Sequence, residues 1–294
     1  MHPFLKLIRP KQYAKNVFVF AALVFTGTFR DPRAVAFTLL AFAGMCAISS
    51  ATYVFNDLVD VERDRKHPTK CRRPIASGQV PERTAFLAGI ALGLIGFVLE
   101  GLINRTSIAI VGAYVLLQVL YNWKLKRTPI ADVFTISIGF VLRAVLGAAA
   151  IDAKISGWLL FCTGALSLML GFAKRRNEFL LQGEDRTTSR ESLVHYTQPA
   201  LDALVTMFAS GAAMSYCVYT LQSNTAHKYP ALILTSVFVL YGITRYLLVT
   251  FTANEGGEPA DLLFKDQHLL ASVLGFLITA ILALGGMRLP FIEQ

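Results

Sequence analysis

Residues 35–64 read VAFTLLAFAGMCAISSATYVFNDLVDVERD, an uncharged run from Val35 to Phe55 that passes directly into an acidic segment. About 20 apolar residues suffice to cross a hydrocarbon core roughly 30 Å thick, so the first part predicts a membrane-spanning helix. No Gly or Pro interrupts Asn56–Asp64, so the spacing predicts that the helix carries on past the apolar run. Asn56, Asp60 and Asp64 then fall at i, i+4 and i+8 and share one edge of the helix, with Asp57 beside them. A membrane helix that ends in a row of carboxylates places its chemistry at a membrane face, and the other apolar stretches of the chain make it polytopic and all-α.

Reading outward, eight further apolar stretches appear: Val17–Phe29, Ala85–Ile103, Ile108–Tyr121, Val133–Ile151, Trp158–Ala173, Ala203–Leu221, Ala231–Phe251 and Leu269–Met287. Together with Val35–Phe55 they predict about nine transmembrane helices in one domain over residues 1–294. The composition agrees, with 54% hydrophobic residues and a mean hydropathy of +0.53, more apolar than a single soluble core of this size requires. The first and fourth stretches, Val17–Phe29 and Ile108–Tyr121, are short for a spanning helix.

Lys and Arg remain on the cytoplasmic side of a membrane, which tests this topology. With the N-terminus inside, the cytoplasmic segments hold all but eight of the 28 Lys and Arg. Arg30, Arg33, Arg105, Lys154, Lys228 and Arg288 lie outside, and Arg143 and Arg245 lie within helices. The expectation is a protein of the cell (inner) membrane with a cytoplasmic N-terminus and active site and an outer C-terminus. The net charge of +9 is then gathered on one face, where phosphorylated substrates or anionic headgroups suit it better than nucleic acid. The segment 1–16 has no small-residue cleavage site after an apolar run and is expected to be retained along the membrane surface. Cys46, Cys71, Cys162 and Cys217 have no spacing suited to zinc or a disulfide framework.

Long charged connections are expected at Asn56–Arg83 and Lys174–Gln198, with shorter ones at Asn122–Asp132 and Thr252–His268. All four open on the cytoplasmic face. Repelling carboxylates in the first of them need a cation. Oxygen-only ligands suit a hard divalent ion, and magnesium completes its shell with water and phosphate oxygens, which makes a diphosphate the natural substrate group. The bland alternative is a solvated helix end paired with Arg63, Arg65 and Lys66. Downstream, Arg65, Lys70, Arg72 and Arg73, with Pro68 and Pro74 shaping a loop, supply cations that can clamp phosphate oxygens. His67 reads as an ordinary loop histidine.

Asn56–Asp64 resembles the NDxxDxxxD motif of the UbiA superfamily of intramembrane prenyltransferases, and Arg72-Arg73-Pro74-Ile75 resembles that family's RPI/RPL segment. The resemblance implies nine transmembrane helices around a lateral cavity, with Asn56, Asp57, Asp60 and Asp64 binding Mg2+ and a diphosphate. The second acidic motif of typical members, DxxxD, is replaced here by Lys174-Arg175-Arg176-Asn177-Glu178. Lys174 and Glu178 are one helical turn apart, so one carboxylate remains and a cation replaces the other. With the opening run Arg9-Pro10-Lys11-Gln12-Tyr13-Ala14-Lys15-Asn16, this resembles the branch that transfers 5-phosphoribose from phosphoribosyl diphosphate to polyprenyl (decaprenyl) phosphate.

In that reaction Asp57, Asp60 and Asp64 are the expected catalytic residues, and Glu178 joins the metal ligands or holds ribose hydroxyls. Lys174 and Arg175 are the candidates for the extra 5-phosphate. Lys15, Asn16, Tyr121, Lys126 and Tyr196 are further substrate contacts or, equally, interfacial anchors. Arg143, several turns inside an apolar segment, faces a partner, a substrate or a hydrated cavity. The lipid phosphate is an anion at neutral pH, so the reaction needs positioning rather than a general base.

The expected partners are the two substrates, the membrane and, as an open option, a second copy in a homo-oligomer; nucleic acid is not among them. Two other readings compete. One is a prenyltransferase that moves a polyprenyl group onto an aromatic acceptor, for which two Asp residues rather than Lys174 and Glu178 are the mark. The other is a transporter, which the clustering of carboxylates at helix ends opposes.

Overall fold

The computed structural model describes residues 2–181, 191–252 and 259–287. Every regular element among them is helical. In chain order they are α1 (Pro3–Ile8), a 3-10 helix (Pro10–Phe20), α2 (Ala21–Phe25), α3 (Pro32–Val59), α4 (Val61–Arg65), α5 (Glu82–Gly101), α6 (Arg105–Trp123) and α7 (Ala131–Ala150). Then follow α8 (Gly157–Leu181), α9 (Gln198–Gln222), α10 (Asn224–Lys228), α11 (Thr235–Thr252), α12 (Pro259–Lys265) and α13 (Gln267–Leu284), with short 3-10 turns between several of them.

Eight of these helices, the one ending at Thr252 counted from Pro230, are long and apolar enough to cross a bilayer. The ninth expected stretch, Val17–Phe29, is not among them: Val17–Phe20 are the end of an 11-residue 3-10 helix that starts at Pro10, and Ala21–Phe25 form a 5-residue α-helix.

Two compact units divide the chain: residues 1–123 with 142–154, and 124–141 with 155–294. Helix α7 contributes its first part to the second unit and the rest to the first.

In the first unit, α3 and α5 pack closely. Gly96 makes the approach possible, because a Cβ there would stand 3.0 Å from the Gly44 carbonyl oxygen and 2.5 Å from Ile48. Val19, Met45, Ile48, Val111, Tyr114 and Leu146 form one core cluster. Leu7, Val54, Val61, Ile75, Val80 and Ala85 form a second beneath the acidic segment. Helix α1 is fixed by this second cluster through the fully buried Leu7 and by a hydrogen bond from Ser50 Oγ to the Ile8 carbonyl. The opposite face of α5 leaves Phe86, Leu87, Leu94 and Val98 exposed, as a lipid-facing stripe requires.

In the second unit, α8 and α9 pack side by side, and α11 packs on α13. Phe172 stacks on Phe208 with centroids 5.6 Å apart and meets Tyr196 edge-on. Val133, Met169, Phe172, Leu193, Leu201 and Val205 are buried in the same core.

The connection expected from Lys174 to Gln198 is corrected at its start: α8 continues to Leu181, so Lys174, Arg175 and Glu178 sit on its last turns. Charge does not end a helix here, because Lys, Arg and Glu are good helix formers and no Gly or Pro intervenes before Leu181.

Candidate active site

The acidic row keeps the spacing read from the sequence, although the regular helix does not run through it. Helix α3 ends at Val59, Asp60 takes φ −93° and ψ 6°, and α4 begins at Val61. The Asp60 N–H still donates to the Asn56 carbonyl (3.0 Å) and the Asp64 N–H to the Asp60 carbonyl (2.8 Å). Those two i to i+4 bonds hold Asn56, Asp60 and Asp64 in register across the interruption.

Asp57 and Asp64 are almost wholly buried, with side chains 3% exposed, and both are matched by guanidinium groups. Arg73 Nη1 donates to Asp57 Oδ1 (2.9 Å) and to Asp64 Oδ2 (2.6 Å), so one cationic atom bridges two carboxylates. Arg9 Nη2 donates to both oxygens of Asp57, at 2.5 and 2.7 Å, while its guanidinium lies over the Tyr53 ring. Asn56 Oδ1 accepts from Asn122 Nδ2 at 2.5 Å. No group of three or more His, Cys, Asp or Glu is close enough to hold a metal ion among the described residues. The donor set nevertheless fits one. Two carboxylate oxygens already converge on a single positive centre, and every first-rank donor in the row is an oxygen, the ligand type that magnesium takes.

Of the other cations of this loop, Arg65 goes elsewhere. Arg65 pairs with Glu62 and Glu82 on the surface, at 2.5 and 2.9 Å, so it braces the start of α5 rather than the acidic row. Lys70 lies in a short 3-10 turn with Arg72, which is exposed. His67 Nδ1 accepts from the backbone N–H groups of Thr69 and Lys70, so the histidine shapes the loop.

Asn16 and Arg143 come together inside the first unit. Arg143 Nε donates to Asn16 Oδ1 (2.8 Å), and Arg143 Nη2 donates to the Tyr114 hydroxyl (3.0 Å) with the guanidinium over that ring. Asn16 Nδ2 in turn reaches Ser49 Oγ at 3.1 Å. The intramembrane arginine thus meets polar groups of α6 and the N-terminal 3-10 helix, and through Asn16 a hydroxyl of α3. Lys15 is exposed on that 3-10 helix, Tyr121 is half-buried near the end of α6, and Lys126 is half-buried in a 3-10 turn after it.

The second unit holds its own charged cluster. Arg175 is 2% exposed; its Nε donates to Asp132 Oδ2 (2.9 Å) and its Nη1 to Glu178 Oε2 (2.5 Å). Ser192 Oγ donates to the same Asp132 oxygen at 3.4 Å. Lys174 is half-buried on the same helix. The Tyr196 hydroxyl accepts the Ile130 N–H at 2.5 Å and so supports Ile130 in a left-handed conformation, φ 67°. Burial raises the Tyr196 pKa above the ordinary phenol value, and the Ile130 hydrogen bond opposes that shift.

Sequence reasoning did not single out Arg9, Asn122, Asp132 or Ser192 as site residues. Arg9 stands in the opening run already noted, but 48 positions separate it from Asp57 and no local pattern pairs them.

The description "UbiA prenyltransferase family" matches residues 16–258. The chain belongs to that family. Among curated UbiA-related proteins, the decaprenyl-phosphate phosphoribosyltransferase of Corynebacterium glutamicum is 32% identical over 288 residues, covering 95% of this chain and 86% of the relative. The protein of the same name from Mycolicibacterium smegmatis is also 32% identical, covering 94% of this chain and 90% of its own. A UbiA homologue from Archaeoglobus fulgidus, solved bound to GPP and Mg2+, shares the fold with a TM-score of 0.70 at 15% identity, covering 96% of this chain and 99% of that one. The chain is an integral membrane protein of the UbiA fold, as its eight long apolar helices require.

Proposed function

We propose that this UbiA family member transfers 5-phosphoribose from phosphoribosyl diphosphate to a polyprenyl phosphate such as decaprenyl phosphate. The observation that carries the reading is 32% identity along 95% of the chain to a protein of that activity. Replacement of a second acidic pair by Lys174 and Glu178 supports it further, since a donor with an additional 5-phosphate favours a cation there.

In the reaction, the bond from C1 of the ribose to the diphosphate oxygen breaks, and a lipid phosphate oxygen forms the new bond to C1. The products are a polyprenyl phosphoribosyl phosphodiester and pyrophosphate, and no proton need move. Asp57, Asp60 and Asp64, with Asn56, are the residues that would hold a divalent ion, magnesium by ligand type, and that ion would neutralise the leaving diphosphate. Arg73 stands beside two of these carboxylates and meets the charge that moves onto the leaving group. Lys70 and Arg72, in the same loop, are proposed to clamp phosphate oxygens.

Lys174 is assigned to recognition of the donor's phosphates and Glu178 to metal or ribose hydroxyls. For Arg175 and Tyr196, the bonds to Asp132 and Ile130 favour a supporting role over direct contact. Asn16 and Arg143 brace each other, and Lys15, Tyr121 and Lys126 remain candidates for substrate contact. Residues 1–294 are proposed to act as one UbiA-like domain, with the N-terminus and acidic row cytoplasmic and the C-terminus outside. The concentration of Lys and Arg in the predicted cytoplasmic segments supports this orientation.

The test is transfer of radiolabelled ribose phosphate from phosphoribosyl diphosphate into added polyprenyl phosphate by purified protein, with and without magnesium. Label entering the lipid only with magnesium is expected. Prenylation of an aromatic acceptor, without ribose transfer, would establish the competing activity instead.

A further inference from the structure

On α9, Gln198, Asp202, Thr206 and Ser210 follow one another at steps of four and share one edge of the helix. That edge lines a groove of about 720 Å³ within the second unit, together with Arg176 of α8 and Phe251 of α11. A spanning helix ordinarily turns apolar side chains to lipid, and α9 is one of the eight long apolar helices. An edge that instead carries a carboxylate and two hydroxyls over about 12 Å, from Asp202 to Ser210, calls for a polar occupant.

The charge that the groove presents is negative. Arg176 is 3% exposed, and its guanidinium is taken up by Asp202 Oδ1 (2.5 Å), by the Thr250 carbonyl (2.9 Å) and by the face of the Phe251 ring. The Asp202 side chain is 36% exposed, and its Oδ2 accepts no hydrogen bond from a described residue. A counter-ion that served Arg176 alone would not leave that second oxygen open. Thr206 commits its hydroxyl proton to the Asp202 backbone carbonyl (2.9 Å), so its exposed oxygen offers lone pairs only. An anionic headgroup would meet a carboxylate here and a guanidinium that it cannot reach; a cationic one meets acceptors.

Farther along α9, the exposed Met207 joins Phe251 in the lining, which gives the groove an apolar side beside its polar edge. That pairing suits an amphiphile lying along the protein better than a free cation. Among lipid cations, a primary ammonium has three N–H donors for these acceptors, as a lysine ammonium does, and a trimethylammonium has none.

We propose that this groove binds a phospholipid with a primary-ammonium headgroup, of the phosphatidylethanolamine class. The ammonium donates to Asp202 Oδ2 and the Thr206 hydroxyl, the Gln198 amide donates to the phosphate, and Ser210 donates to an ester carbonyl above the acyl chains. The site uses none of the residues of the acidic row and does not rest on the reaction proposed above.

The probe is delipidated full-length protein in detergent, titrated with phosphatidylethanolamine, phosphatidylcholine or phosphatidylglycerol of identical acyl chains and followed by native mass spectrometry. Phosphatidylethanolamine should bind about tenfold more tightly than either of the others, the scale of one hydrogen bond to a charged group. Asp202→Asn should bring it down to the level of phosphatidylcholine. Because that change also strands Arg176, Ser210→Trp provides a second variant, which fills the exposed groove and leaves the ion pair alone. It should abolish the preference with the thermal midpoint unchanged.

Equal affinities for the three lipids, or a preference for phosphatidylglycerol, in the unaltered protein would overturn the proposal without any variant. A phosphatidylethanolamine preference that survives both substitutions would place the lipid elsewhere and overturn it too. So would a lipid-free oligomer that Ser210→Trp disperses, since the groove would then belong to a second copy of the chain.

Discussion

Asp132→Asn tests whether the charged cluster at the end of α8 is structural. Asp132 is fully buried and Arg175 is 2% exposed, so the substitution removes a negative charge from a cation that water barely reaches. Breaking one side of such a pair typically costs about 3–5 kcal/mol. Glu178 remains at Arg175 Nη1 with its own side chain 26% exposed, which places the expected loss at the lower end, about 3 kcal/mol. For a chain of a few hundred residues, each kcal/mol moves the thermal midpoint by roughly 2–4 °C, so a fall of about 10 °C is expected. Thermal unfolding of the purified protein in detergent reads it directly. Pairing Asp132→Asn with Arg175→Gln should recover part of the loss, because the stranded cation is then gone. An unchanged midpoint for Asp132→Asn would refute the structural assignment and return Arg175 to the substrate contacts.

Asp64→Asn should lower turnover about a hundredfold or more, the scale of losing a group that stabilises transition-state charge, while membrane insertion is retained; the radiolabel transfer assay and membrane fractionation check both. Lys174→Ala should raise the phosphoribosyl diphosphate concentration needed for half-maximal rate by about tenfold, the equivalent of one charged hydrogen bond. The polyprenyl phosphate requirement should move less, and the reverse pattern in steady-state kinetics would transfer Lys174 to the acceptor. Gly147→Ala should destabilise by about 1–3 kcal/mol or more, because its Cβ would lie inside the Val19 carbonyl group and only a backbone shift could relieve it; thermal unfolding measures this. Glu100→Gln should leave the thermal midpoint within a few degrees, since neither buried carboxylate oxygen has a hydrogen-bond partner to lose.

The spanning helices were legible because lipid imposes a simple rule on composition, and α3 shows it well: its apolar run and its acidic end both follow from residues 35–64. The register of Asn56, Asp60 and Asp64 was equally legible, since helical hydrogen bonds fix it even across the interruption at Asp60. Hydropathy could not distinguish a 3-10 helix from an α-helix at Pro10–Phe20, because the two differ in rise and not in apolarity. The extension of α8 through Lys174–Leu181 was hidden by its charge. Arg175 and Arg176 are buried there because Asp132 and Asp202 meet them, and those partners are 43 and 26 positions away. The same long separation hid Arg9 on Asp57. That Arg143 has a partner could be foreseen from the cost of a charge in lipid, but its identity, Asn16, could not, at a separation of 127 positions.

The central claim is tested most directly by the lipid product. Purified protein would be given phosphoribosyl diphosphate, polyprenyl phosphate and magnesium, and the extracted lipid and released pyrophosphate would be quantified together. The account predicts one phosphoribosylated polyprenyl phosphate for each pyrophosphate, with both absent when either substrate is left out. Unmodified polyprenyl phosphate under these conditions, with pyrophosphate released only when an allylic diphosphate and an aromatic acceptor are supplied, would contradict it.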